Sequence, residues 1–200
     1  MDGPRASGPS TASTSSISVD KDDFPGRPAS ERTTGRNHEE VTTLANETLT
    51  ATTTVQAPAE AVFAILADPG NHPAIDGTGW VKEPVDRERL AAPGQIFRMT
   101  MYHPSRPDGT YEMANKVQVF DPPKTISWQP GRDSGDGTVR FGGWLWRYDL
   151  VALGPSQTEV ALSYDWSGVS DEVRQRISFP PFSPDHLDNS LAHLAALAAS

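Results

Sequence analysis

Residues Ala57 to Trp80 read A-P-A-E-A-V-F-A-I-L-A-D-P-G-N-H-P-A-I-D-G-T-G-W, and this stretch decides the fold. Pro58 near its start, an apolar stripe of Val62, Ile65 and Leu66, and the Pro69-Gly70 stop mark one compact helix. A polar run carrying His72 and Asp76 follows, and Gly77 and Gly79 lead into a strand-like segment. A rigid connection of this kind, held on a packed scaffold, is a place where function concentrates.

Upstream, Leu49, Ala51, Thr53 and Val55 alternate with threonines and predict a first strand. Downstream, strand-like segments fall near 80–86, 96–104, 110–120, 124–130, 140–151 and 157–168. Pro93-Gly94, Pro107-Asp108-Gly109, Asp121-Pro122-Pro123, Gly131 to Gly137 and Gly154-Pro155 divide them. Sequential strands joined by short loops predict an antiparallel meander. After Phe179-Pro-Pro-Phe182, Ser183 reads as an N-cap with Pro184 at the first helical position. Leu187, Leu191, Leu194 and Ala198 form one stripe of a terminal helix that must pack on something. A curved sheet wrapped around that helix accounts for the order most simply.

Residues 1–45 have the composition of a disordered Ser/Thr/Pro/Gly-rich tail, and residues 46–200 form the domain. The tail reads as unselective or as a misassigned start, with phosphorylation between Ser10 and Ser18 or at Ser30 as the regulatory alternative. The 200 residues contain no cysteine, which excludes disulfides, thiol nucleophiles and thiolate metal sites. No signal-peptide core and no membrane-length apolar run is present, so a cytoplasmic protein without membrane insertion is expected. A net charge of −9 argues against nucleic acid as a partner. Nothing in the sequence bears on oligomeric state.

Strand parity assigns the inner face. It comprises Phe97, Met99, Met101 and His103; Tyr111, Met113, Asn115, Val117 and Val119; and Ile126 and Trp128. Trp144, Trp146, Tyr148 and Leu150, then Val160, Leu162, Tyr164 and Trp166, complete it. Any one of these residues suits an ordinary core, but together they are too aromatic for one helix to cover. A cavity lined by aromatic and Met side chains with a few polar anchors is a ligand-site pattern.

The segments A-D-P-G-N-H-P-A-I-D-G-T-G, W-L-W-R-Y-D-L, S-Y-D-W-S and F-P-P-F-S-P-D-H-L-D-N-S-L-A-H-L, in the element order above, resemble a known family. It is the START-related (SRPBCC) superfamily, in its bacterial polyketide cyclase/dehydrase branch, and the resemblance runs from about Glu47 to Ser200. It implies an α+β helix-grip fold: a seven-stranded curved antiparallel sheet wrapped around a long C-terminal helix, with two short helices after the first strand. It also implies a cavity between sheet and helix that takes lipids, hormones or polyketides, in some members with cyclisation or dehydration. No catalytic set of that family maps residue by residue onto this chain.

The expected partner is therefore a hydrophobic, ring-containing small molecule. The candidate ligand-binding residues are His72, Met99, Met101, Tyr111, Met113, Asn115, Trp128, Trp144, Trp146, Tyr148, Tyr164 and Trp166. The enzyme alternative rests on His72, His103 or Tyr148, with Asn and Tyr donors holding a developing enolate. His72 and Asp76 form a His–carboxylate pair in one reading; in the other, Asp76 caps the Gly77 turn and His72 packs beside it. A third alternative is a filled core with a protein-binding surface. His186, Asn189 and His193 flank the Leu stripe, with His186 assigned to the capped first turn; His186 and His193 are too far apart for one metal. No cofactor is expected, because neither a phosphate-cradling Gly loop nor a dinucleotide fingerprint occurs. The segment 169–182, with Phe179 and Phe182, is a candidate gate.

Overall fold

The computed structural model describes residues 47–104, 106, 109–183 and 185–200. The expected tail with its serines lies outside them, as do Ser105, both Pro107 and Asp108 of the expected Pro107-Asp108-Gly109 hairpin, and the expected helix-start Pro184.

Strand β1 (Thr48–Val55) alternates exposed threonines with half-buried Leu49, Ala51 and Thr53, as its period of two requires. The chain then turns through Pro58 into α1 (Ala59–Leu66), whose Ala59, Val62, Phe63 and Leu66 are buried on one stripe. Asp68 caps a single 3-10 turn, Pro69–Asn71, by accepting the Gly70 amide at 2.9 Å. Helix α2 (His72–Ile75) follows directly. The strands β2 (Val81–Pro84), β3 (Ile96–Tyr102), β4 (Thr110–Asp121), β5 (Thr125–Asp133), β6 (Val139–Phe141), β7 (Leu145–Gly154) and β8 (Gln157–Asp165) come next. A short helix α3 (Asp171–Arg174) and the terminal α4 (His186–Ala198) complete the chain.

All strand pairings are antiparallel, in the order β1-β8-β7-β5-β4-β3-β2, with β6 added beside β5. The first strand thus pairs with the last, Thr48 opposite Asp165 and Val55 opposite Thr158. The buried Thr158 hydroxyl donates to the Ala57 carbonyl at 2.8 Å and fixes where α1 starts. Helix α4 packs on β1, α1 and α2. Leu187, Leu191 and Leu194 share one core with Val62, Leu66, Val160 and Leu162, each buried leucine contributing about 2 kcal/mol.

Four details depart from the sequence expectation. The sheet has eight strands rather than seven, because 140–151 is broken at Gly142-Gly143 into β6 and β7. Gly143 has φ +91° and its backbone crosses that of Gly168, so a Cβ would lie 2.3 Å from the Gly168 carbonyl oxygen. A β-bulge between Val117 and Val119 reverses parity, so Phe120 takes the inward place assigned to Val119 and meets Phe63 edge-on at 5.3 Å. Strands β3 and β8 end before His103 and Trp166. Helix α4 is 13 residues long and is preceded by Asp185 at the N-cap, while Ser183 hydrogen-bonds the Asp185 carboxylate instead of capping.

Gly143→Ala is expected to lower unfolding stability by about 2–4 kcal/mol in urea titrations, through left-handed strain plus the Gly168 clash. Gly154→Ala, where a Cβ meets nothing within 4 Å, is expected to change it by less than about 0.5 kcal/mol. Equal effects at the two positions would contradict the crossing of the two backbones.

Candidate ligand cavity

The concave face of the sheet, α2, α4 and the segment 177–181 enclose a cavity of about 200 Å³. Eleven of the twelve sequence-assigned ligand residues line it: His72, Met99, Met101, Tyr111, Met113, Asn115, Trp128, Trp144, Trp146, Tyr148 and Tyr164. Trp166 does not; it packs behind Tyr164 in a separate buried group with Val169. The lining also includes Trp80, Arg106, Arg132, Phe179, His186 and Ser190, which the parity argument missed. Arg132 was within reach of it, since β5 runs to Asp133 and Trp128, Pro130 and Arg132 share one face.

Two aromatic stacks form the walls. At one, His72 stacks on Trp128 (centroids 5.1 Å, planes 18° apart) and meets Phe97 edge-on at 5.4 Å. At the other, Trp146 lies against Tyr164 at 4.5 Å, Phe182 at 5.5 Å and the edge of His186 at 5.4 Å. Phe179 closes over Trp144 at 5.7 Å. Of the candidate gate, the part around α3 is fastened: Arg174 donates to the carbonyls of Trp166 and Val169 and pairs with Glu47 at 2.9 Å.

The chemical candidates fall in different places. His72 is buried, and Nε2–H donates to the Leu66 carbonyl at 2.9 Å. Burial lowers its pKa against the weaker upward pull of that carbonyl and of Asp68, so the ring is neutral at pH 7. Asp76 accepts from the amides of Thr78 (3.2 Å) and Val81 (3.0 Å) and from the Thr78 hydroxyl. The two are therefore committed to separate backbone partners, and the His–carboxylate pair does not form among the described residues. His103 sits beyond β3 against the edge of Trp80 at 4.6 Å and does not line the cavity. Tyr148 is buried, and burial together with the Asp76 charge raises its pKa far above the ordinary tyrosine value. Burial does the same for Tyr164. Both remain neutral hydroxyls. Burial also raises Tyr111, although the nearby Arg106 and Arg132 charges oppose it; the Arg106 guanidinium stacks 4.4 Å over the Tyr111 ring.

The end of the cavity at α4 is held by backbone contact. The Gly77 amide donates to Ser190 Oγ at 3.0 Å, and His193 Nδ1 donates to the Asp76 carbonyl at 3.2 Å. A Cβ on Gly77 would come within 2.4 Å of the His186 carbonyl oxygen and 2.9 Å of its Nδ1. His186 opens the first turn of α4, as expected, and is buried there; its Nδ1 has no hydrogen-bond partner among the described residues. Among the described residues, no group of three or more acidic or histidine side chains is placed to hold a metal, and no helix is long and apolar enough to cross a membrane.

A curled antiparallel sheet gripping one helix over an apolar cavity defines the helix-grip class of ligand-binding folds. The chain belongs to the family described as polyketide cyclase / dehydrase and lipid transport, which matches residues 46–199. In sequence it is 28% identical over 112 residues to the uncharacterized protein Rv0088 of Mycobacterium tuberculosis, a match covering 56% of this chain and 44% of that protein. The chain thus spans less than half the length of that curated relative. In structure it is similar to protein Ms6760 of Mycobacterium smegmatis, with TM-score 0.56 and 20% identity over 83% of this chain and 97% of that one. It is also similar to a norcoclaurine synthase point mutant from Thalictrum, solved with a transition-state analogue. There the TM-score is 0.52 and identity is 18%, over 76% of this chain and 93% of that one.

Gly77→Ala is expected to cost about 1–3 kcal/mol of unfolding stability, because α4 must back away from the added methyl group. An unchanged urea midpoint would contradict the close docking of α4 on this turn.

Proposed function

We propose that this chain binds a small, hydrophobic, ring-containing molecule in the cavity between sheet and α4. The observation that carries the reading is the cavity itself: about 200 Å³ left open behind a lining dominated by Trp, Tyr, Phe and Met. Such rings prefer stacked and edge-on partners, and Trp128 and Trp146 offer faces of both kinds. The volume selects for size. An apolar cavity of about 150 Å³ admits benzene, and drug-sized ligands take about 300 Å³ or more. A molecule of one or two fused rings suits a volume of this size.

The open volume weighs against a filled core that serves only a protein-binding surface. The catalytic alternative has weaker support. His72 is turned to the Leu66 carbonyl, His103 lies off the cavity, and Tyr148 is held firmly protonated. The His–carboxylate pair with Asp76 is not formed, so proton abstraction by His72 would fall to Nδ1, the nitrogen not given to Leu66.

Titration with 2-methylnaphthalene, followed by quenching of tryptophan fluorescence, is expected to saturate with a micromolar Kd. Met113→Trp, which fills the lined space, is expected to weaken binding by about tenfold or more. Binding that ignores this substitution would place the compound elsewhere and overturn the reading.

A further inference from the structure

His186 and Ser190 are four residues apart on α4, so their side chains lie one above the other on one face of the helix. Both are more than nine-tenths buried, at 7% and 3% exposure, and both line the cavity. Every other position of this helix that is buried carries leucine. A packed interior has no use for two adjacent polar groups unless their hydrogen bonds are made. Here they are half made. Ser190 Oγ accepts the Gly77 amide at 3.0 Å, which leaves its own proton to donate, and no acceptor for it occurs among the hydrogen bonds of the described residues. His186 Nδ1 is buried without a partner of good geometry.

The protonation of the ring follows from its surroundings. Burial lowers the His186 pKa, and the charges of Asp76 and Asp185 and the Gly77 backbone pull it back only in part. A neutral imidazole has one N–H and one lone pair. Nδ1 is the nitrogen pressed against Gly77, whose own amide is already committed to Ser190. What Gly77 has left to offer is an acceptor, and this favours the proton on Nδ1. The lone pair then sits on Nε2, the polar edge that remains for the cavity.

We propose that His186 and Ser190 form the polar anchor of the cavity and that this anchor recognises a hydroxyl group, phenolic or enolic, on the ring-containing ligand. A hydroxyl is the group that donates to Nε2 and accepts from the Ser190 hydroxyl at once. A carbonyl or ether satisfies Ser190 alone and leaves Nε2 desolvated and unpaired, which is the costly outcome. Trp146 and Phe182, in ring contact with His186, hold the imidazole while it makes the bond. The inference rests on the cavity reading above and adds the chemical group that the cavity selects.

The test compares 2-naphthol with 2-methylnaphthalene, two probes of one shape that differ in the hydroxyl, by fluorescence titration of the full chain at pH 7.5. Wild type is expected to bind 2-naphthol about tenfold more tightly, the range of one well-made buried hydrogen bond. His186→Phe, which keeps a flat ring between Trp146 and Phe182, is expected to bind the two probes with equal affinity. If His186→Phe does not fold, Ser190→Ala is read in its place and is expected to reduce the preference severalfold. Equal binding of the two probes to wild type overturns the anchor and leaves the cavity reading standing. A preference that survives both substitutions also overturns it. If neither probe binds, the cavity reading fails and the anchor fails with it.

Discussion

Everything in this fold that is open to a ligand depends on how closely the Asp76-Gly77-Thr78 turn approaches α4. Gly77 has no side chain, so its amide reaches Ser190 Oγ and its backbone lies against His186. The Asp76 carboxylate stiffens the same turn by accepting hydrogen bonds from the Thr78 and Val81 amides, and the Asp76 carbonyl accepts one from His193 Nδ1–H. Helix α4 is thereby held at a set distance from α2 and cannot sink into the sheet to fill the space beneath. The leucines on its other flank pack into the core, and the polar flank is left facing the cavity.

An empty volume of this kind is destabilising. Unfilled core space costs about 24 cal/mol per Å³, several kcal/mol for a cavity of this size. The lining shows why it does not collapse. Trp128 and Trp146 are braced by His72, Tyr148, Tyr164 and Phe182, and each ring is set by another ring rather than by the space between them. The polar groups at the wall are committed one by one. His72 goes to Leu66, Asp76 to its own turn, and the tyrosine hydroxyls stay protonated. His186 is the exception: it lines the cavity, and its buried Nδ1, pressed against Gly77, has no well-formed hydrogen bond among the described residues.

Much of this was legible in the sequence, for reasons that mark where legibility ends. Alternation along β3, β4, β7 and β8 assigned the inner face correctly wherever the strands are regular, and the family resemblance carried by residues 67–79 and 144–150 held. The errors sit where regularity breaks. The bulge after Val117 exchanges Val119 for Phe120, the Gly142-Gly143 crossing splits one strand into two, and β8 ends before Trp166. Period-two parity cannot register any of these, because each is imposed by a neighbouring strand or by backbone contact. His186 escaped for a related reason. Its place on the edge of the Leu stripe is readable, but whether that edge meets solvent or a cavity is decided by the turn at Gly77, more than a hundred residues away.

The most direct test is the indole N–H region of an ¹⁵N-labelled sample titrated with 2-naphthol, since the five tryptophans report on separate places. Occupation of the cavity predicts that the signals of Trp80, Trp128, Trp144 and Trp146 move together and saturate at one Kd, while that of Trp166 stays still. Movement of Trp166 with Trp128 and Trp146 unmoved, or no saturable movement at all, would contradict the account.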